Sequence, residues 1–260
     1  MKIVGFTQLR NELSNGNLLN WLKCMDMCDF IYIYDQNSND GSKEVYKSNS
    51  KCVVVESPTN DFANENACKD VLLTKLLREH PDTDWVFWMD GDYLLDGRYV
   101  ENNFEKFFEM CELAQTYELD GLAFGHYNLW RSDTYYRLDD QYHNSHAGGR
   151  VSLWRNNGKL KMHTTPGLHK SPLPHGLENI LRVDCNLLHR GFATDEQIIL
   201  KYEVYKSFGQ TGWALERLLE ERTLDTKRIT DELLPSWFEI VDDVDPKSKT
   251  KLREVYNQNL

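Results

Sequence analysis

The chain has 260 residues, 40% hydrophobic and 27% charged, which suits one large α/β domain or two small ones with a buried core. Its formal net charge is −11 and no Lys/Arg block stands out, so the electrostatic footprint of a nucleic-acid binder is missing. No apolar run reaches membrane-spanning length, the apolar run before Arg10 is too short for a signal peptide, and the six cysteines form no CxxC pair. The expectation is a cytoplasmic protein with no membrane span and with reduced, buried thiols.

In chain order, Ile3-Val4-Gly5-Phe6-Thr7 is a short apolar run suited to a buried strand. Residues 16–28 predict a helix with Leu18, Leu22 and Met25 on one face. Phe30 to Tyr34 predicts a second strand that stops at Asp35, before the turn-rich Asn37-Ser38-Asn39-Asp40-Gly41. Cys52 to Val55 is a third strand, and residues 64–79 are a helix that ends near His80-Pro81. Trp85 to Met89 is apolar on both faces, as strands in the middle of a parallel sheet are. Residues 101–117 are helical, with Phe104, Phe107, Phe108 and Cys111 spaced i, i+3, i+4, i+7.

This alternation predicts βαβ units and a parallel sheet through about residue 125. Ligands of such sheets lie beyond the carboxyl ends of the strands. Three of those ends carry polar clusters: Thr7 to Glu12, Asp35 to Asp40, and Asp90 to Asp92. The second half is less regular. Strands are expected at Gly121–Phe124, Val151–Trp154 and Cys185–Leu188, the last ending at His189, with helices from Glu196 to Tyr205 and Trp213 to Glu221. The tail from Thr230 is acidic, with Trp237 and Phe238 as anchors.

The segment Asp90-Gly91-Asp92 sets two carboxylates around a glycine directly after a buried strand. Carboxylate oxygens are hard ligands that suit Mg²⁺ or Mn²⁺, and the glycine lets the backbone turn and a bulky ligand approach. A solvated turn has the same composition. At Asp35 a carboxylate is placed to accept hydrogen bonds from a base or ribose, while Ser38 and Asp40 suit a capped turn.

The order of these segments resembles the family 2 glycosyltransferases of the GT-A fold. TQLRNE over residues 7–12 is like that family's RNE-type motif, YDQNSNDG over 34–41 like its D-x-x-S-x-D-G, and MDGD over 89–92 like its DxD metal motif. Asp35 follows Arg10 by 25 residues, and Asp90 follows Asp35 by 55, spacings that fit. The resemblance implies a Rossmann-like, three-layer α/β fold with a mostly parallel central sheet. It covers residues 1–205, with a nucleotide-binding half over 1–125 and an acceptor and metal half over 126–205. Residues 206–260 are expected to be a helical extension packed on that domain.

The resemblance also implies an inverting transfer of a sugar from a nucleoside-diphosphate sugar to a glycan or other hydroxyl acceptor. It implies Mn²⁺ (or Mg²⁺) held by Asp90, Asp92 and His189, and nucleotide contacts from Thr7, Arg10, Asp35, Asn37, Lys69, Asp90 and Lys201. For Lys201 a solvated helix position is the alternative. The general base is assigned to Asp139, with Asp140 next, in a Tyr-Arg-x-Asp segment; His169, His175 and Glu178 are further candidates. The six-residue spacing of His163, His169 and His175 fits no common zinc pattern. Two rival classes share features of the pattern. A haloacid-dehalogenase-like phosphohydrolase also runs a hydrophobic strand into D-x-D, but near its N-terminus and with Thr or Val where this chain has Leu94. A non-catalytic nucleotide- or carbohydrate-binding module has no need of a complete metal site.

Overall fold

The computed structural model describes residues 1–61, 64–138, 149–164, 173–220 and 225–258. Strands β1 (Ile3–Leu9), β2 (Phe30–Gln36), β3 (Cys52–Ser57) and β4 (Trp85–Trp88) alternate with helices α1 (Leu18–Cys24), α2 (Ser42–Ser48) and α3 (Glu65–Glu79). The chain continues through β5 (Tyr93–Leu95), the single turn α4 (Gly97–Val100), α5 (Glu105–Thr116), β6 (Gly121–Asn128), β7 (Tyr135–Arg137), β8 (Arg150–Arg155) and β9 (Ile180–His189). Helices α6 (Asp195–Ser207) and α7 (Trp213–Glu216), strand β10 (Thr226–Arg228) and helix α8 (Leu252–Gln258) complete it.

One eight-stranded sheet runs in the order β3-β2-β1-β4-β8-β6-β9-β5. The first four strands pair in parallel, as their apolar runs and intervening helices predict. β6 and β9 are also parallel, whereas β8 is antiparallel to both its neighbours and β5 is antiparallel to β9. The protein is therefore α/β with a large, mostly parallel sheet of Rossmann-like kind.

Side chains alternate across the sheet because successive Cβ atoms point to opposite faces. Trp85 and Phe87 of β4 join Ile3, Ile31 and Ile33 in one core, which takes Trp21 from α1 and Phe107 and Cys111 from α5. Val86 and Trp88 join Val4, Phe6 and Tyr32 in the other, beneath Leu72, Leu73 and Leu76 of α3. Each fully buried leucine contributes about 2 kcal/mol of transfer free energy, so both faces hold their helices firmly. Trp130, α6, α7 and α8 share a third cluster.

Two segments depart from expectation. β5 is too short to stand out in the sequence, yet it carries the chain from β4 to the far edge of the sheet. Residues 206–260 are expected to be a helical extension, but among the described residues there only the end of α6, α7, α8 and two 3-10 turns are helical. β10 instead pairs antiparallel with β7, because Asp225 and Ile229 exchange backbone hydrogen bonds with Leu138 and Thr134. Phe238 is buried in the main core with the Arg190 guanidinium over its ring, and Trp237 packs at the margin of that core under Lys23. The tail is thus anchored by both aromatics.

Gly97 lies where this tail crosses α4. A Cβ there would fall within 3.0 Å of the Leu234 and Glu232 backbone oxygens, which cannot move as a side-chain tip does. Gly97→Ala is expected to destabilise the protein by about 2–3 kcal/mol, the cost of overpacking against backbone. Urea unfolding monitored by tryptophan fluorescence checks this; an unchanged midpoint would count against the packing described.

Candidate functional site

The parallel strand ends converge as their connections require. The 10–16 loop after β1 is stitched to the 37–42 loop after β2: Asn11 N–H donates to Ser38 Oγ, Leu13 N–H to Ser42 Oγ and Ser14 N–H to the Asp40 carboxylate. Gly91 packs against the same loop, since a Cβ on it would fall within 3.0 Å of Leu9 and Glu12 side-chain carbons. Gly91 therefore admits a neighbouring loop of this chain.

After Gly91, β5 brings Asp92 and Tyr93 beside the end of β9. Tyr93 is in register with His189 across β5 and β9, and Asn128 is in register with His189 across β6 and β9. The three side chains stand in one row. Tyr93 stacks on the His189 ring at 4.7 Å between centroids, and His189 Nδ1 lies 2.6 Å from Asn128 Oδ1. A carbonyl oxygen only accepts, so Nδ1 carries the proton. Burial lowers the His189 pKa, and the carboxylate of Asp92 opposes that only in part, so the ring is neutral near pH 7. Its Nε2 then presents a lone pair.

That lone pair faces Asp92 Oδ2 at 3.0 Å. Two acceptors at this distance repel unless a positive charge lies between or beside them. Lys201 supplies it from α6: its Nζ donates to Asp92 Oδ2 at 3.0 Å and lies 3.4 Å from His189 Nε2. Burial would raise the Asp92 carboxyl, but the Lys201 ammonium outweighs it and holds Asp92 well below the usual carboxylate range. The same pairing overcomes burial at Lys201 and raises its pKa. α6 is aimed by a capping box between Thr194 and Gln197, and Gln197 also donates to the Asn15 carbonyl. Gln197 and Lys201 are four residues apart and so share a helix face. Over this trio lies Gly191; a Cβ there would fall within 3.0 Å of Lys201 Nζ, Asp92 Oδ2 and His189 Nε2 together.

Asp90 is placed differently. Its Oδ1 accepts from Trp88 Nε1 at 2.9 Å and its Oδ2 from Arg150 at 2.6 Å. Arg150 in turn lies over the Trp88 ring at 3.8 Å and the Tyr93 ring at 4.7 Å, and donates to the Tyr93 hydroxyl. Burial raises the Asp90 carboxyl, but Arg150 and Lys69 bring it down below its ordinary value. The expected trio of Asp90, Asp92 and His189 is thus divided. Asp92 and His189 meet, and Asp90 is engaged by a guanidinium that the strand pattern did not single out.

Among the described residues, no group of three or more His, Cys, Asp or Glu side chains is placed to hold a metal ion. The donor set still suits a cation that draws its other ligands from elsewhere. Asp92 and an Nε2 lone pair fixed by Asn128 are two donors of the right chemistry, and metal sites that work on phosphates commonly take only one or two carboxylates from the protein. The Lys201 ammonium already marks the position where positive charge is wanted.

The remaining expected contacts are scattered. Thr7 is fully buried and Lys69 nearly so, the latter paired with Glu65 and lying 4.3 Å from the Trp88 ring centroid. Asp35 is buried at the end of β2, with Oδ1 accepting from Ser38 N–H and Oδ2 lacking a hydrogen-bond partner among the described residues. Arg10 and Asn37 are exposed on their loops, Asn37 in the left-handed region at φ 60°. Asp139, Asp140 and His169 lie outside the described residues. The His163 and His175 rings lie against each other with centroids 3.7 Å apart and planes tilted by 47°, and Glu178 is exposed.

Sequence reasoning missed Glu12, Asn128, Arg150 and Gly191 as site residues. Glu12 lines a cleft with Asn15, Asn17, Asp92, Gln197 and Lys201. Burial, then the Asp92 charge, raises its pKa to about 7. Its place in the TQLRNE segment and the glycine two residues after His189 were visible signals. Asn128 carried none, being one polar residue at the end of a strand.

No family model matches the chain, and no curated protein matches it. Among solved structures, the chain is similar to A197 from STIV, at 12% identity and a TM-score of 0.30, over 60% of this chain and 65% of that one. It is also similar to 4-diphosphocytidyl-2C-methyl-D-erythritolsynthase from Anaerococcus prevotii DSM 20548, at 11% identity and a TM-score of 0.27, over 84% of this chain and 81% of that one. The chain spans just under two thirds of the length of the first. Among the described residues no helix is long and apolar enough to cross a membrane.

Proposed function

We propose that the chain is a metal-dependent glycosyltransferase of the GT-A, family 2-like type. It transfers a sugar from a nucleoside-diphosphate sugar to a hydroxyl acceptor such as a glycan, with inversion. Residues 1–205 form its transferase domain, and residues 206–260 are an extension of it. The observation that carries this reading is the convergence of Asp92, His189 and Lys201 beneath Gly191, next to the joined ends of β1 and β2.

In this reading Asp92 and His189 would hold Mn²⁺ (or Mg²⁺) beside the diphosphate. When bound, the cation supplies Lewis-acid stabilisation of the charge that develops on the leaving nucleoside diphosphate. Asn128 keeps the His189 proton on Nδ1, so that Nε2 remains a ligand. Tyr93 holds the ring in place by stacking. Lys201 and Arg150 put two further positive charges beside the anionic donor. Asp90 fixes the Arg150 guanidinium from below. Asp35, with one carboxylate oxygen unpartnered among the described residues, takes a donor hydrogen from the ribose or base. The acceptor hydroxyl loses its proton to Asp139, with Asp140 as the second choice.

The test is direct. The chain is incubated with UDP-, GDP- and dTDP-sugars and Mn²⁺, and free nucleoside diphosphate is measured. One sugar nucleotide is expected to be hydrolysed slowly without acceptor, and not at all after chelation. Phosphate release from simple phosphoesters would favour the phosphohydrolase instead. Nucleotide binding that is indifferent to metal and gives no turnover would favour a binding module and sink the proposal.

A further inference from the structure

Lys201 occupies an unusual position for a phosphate-binding lysine. Its Nζ is spent on Asp92 Oδ2 at 3.0 Å and sits 3.4 Å from His189 Nε2, the two protein donors assigned to the cation. It also lies 4.6 Å from the Phe192 ring centroid. The ammonium thus satisfies both acceptors and rests on an aromatic face, as a bound cation would. The space is small: the same point is closed off by Gly191, on which a Cβ would fall within 3.0 Å of all three groups. An ammonium and a divalent cation do not fit there together, and their charges would repel at such a distance.

We propose that Lys201 is a built-in counter-cation that holds the metal position in the unloaded protein and is displaced when a divalent cation enters. This rests on the metal-dependent reading above. On displacement the four-carbon stem of Lys201 swings its ammonium away from Asp92, toward the Glu12, Asn15, Asn17 and Gln197 side of the cleft that Asp92 and Lys201 also line. There it meets the diphosphate. One side chain therefore opposes cation binding in the empty protein and favours the cation once the diphosphate has arrived. The consequence is ordered, mutually dependent loading: metal alone binds weakly, and metal with diphosphate binds well. In the empty protein the ammonium also prevents two unscreened acceptors from facing each other at 3.0 Å.

The experiment measures Mn²⁺ binding to the full chain by calorimetry, without nucleotide, for the native protein and Lys201→Met. Affinity for pyrophosphate at saturating Mn²⁺ is measured next. Lys201→Met is expected to bind Mn²⁺ about tenfold more tightly, as follows from removing one adjacent positive charge in a largely water-excluded site. Its affinity for pyrophosphate with Mn²⁺ is expected to fall by about tenfold, from the loss of a charge-assisted contact. Lys201→Arg, which keeps the charge, should bind Mn²⁺ no more tightly than the native protein. Lys201→Gln is the second variant should the methionine protein fail to fold, with circular dichroism as the check. The opposite signs of the two changes are what a merely structural lysine would not produce. Equal Mn²⁺ affinity in the native and neutral variants overturns the displacement while leaving the metal reading standing. Failure of Mn²⁺ to bind any of the proteins overturns the metal reading, and the displacement with it.

Discussion

Asp92→Asn is expected to abolish the Mn²⁺-dependent stabilisation of the protein by its nucleoside diphosphate, and to lower turnover of the sugar nucleotide by roughly a thousandfold. A loss of that size is on the scale of removing one preorganised electrostatic contact at a reacting centre. Asp92 is the residue through which the other groups are connected. Its Oδ2 is shared by His189 Nε2 and Lys201 Nζ, each at 3.0 Å, and its backbone carbonyl accepts from Arg190 N–H at 2.7 Å. The amide has nearly the same shape but no charge, so it neither anchors a divalent cation strongly nor pairs with the ammonium. The backbone bond to Arg190 remains, so the end of β9 stays in place. The ammonium of Lys201 is left partly uncompensated, and the folded state should lose about 1–3 kcal/mol. Thermal unfolding with UDP, GDP and dTDP, each with and without Mn²⁺, separates the effects: a modest drop in the baseline midpoint and no metal-dependent rise. Retention of the metal-dependent rise in the variant would remove Asp92 from the site.

Gly191→Ala should leave the fold intact and cost roughly a hundredfold in Mn²⁺ and nucleotide affinity, about 3 kcal/mol of binding free energy. Its φ does not lie in the left-handed region, so alanine is acceptable to the backbone. The obstruction is steric and local. The new methyl would fall within 3.0 Å of Asp92, His189 and Lys201. Lys201 can retreat, since it is the far end of a flexible chain. His189 cannot, because Tyr93 stacks on one face and Asn128 holds Nδ1. Asp92 is tied through its short side chain to the end of β5. The methyl group therefore takes the volume that the proposed cation would need. Stability should fall by only about 1–2 kcal/mol, since much of the strain is relieved by moving one lysine. Calorimetric titration with Mn²⁺, alongside a melting curve, checks both parts. Native-like Mn²⁺ affinity in this variant would show that the cation binds elsewhere.

The two variants differ in a way that tests the geometry and not only the residue list. Asp92→Asn removes a ligand charge and keeps the space; Gly191→Ala keeps every ligand and fills the space. A site built around Asp92, His189 and Lys201 responds to both. A site centred on Asp90 would be insensitive to Gly191, because Asp90 lies against Arg150 and Trp88.

The amino-acid sequence by itself determined the parallel half of the sheet. Apolar runs at Ile3, Phe30, Cys52 and Trp85, each followed by turn chemistry and most separated by helical periodicity, suffice, because strand and helix patterns are local properties of a few neighbouring residues. It also placed Asp92 just beyond a predicted strand, His189 at the end of another and Lys201 within a predicted helix. Only the tertiary structure decided how these residues divide their work. Asp90 and Asp92 differ by two positions, yet one answers to Arg150, 60 residues away, and the other to His189 and Lys201, 97 and 109 residues away. Those partners are selected by sheet order and register. β5 crosses to the far edge and sets Tyr93, His189 and Asn128 in one row, and no local pattern encodes that pairing. The same holds for β10, whose three residues become a strand only because β7 offers an unpaired edge. A short polar segment reads as coil until a partner far along the chain supplies its hydrogen bonds.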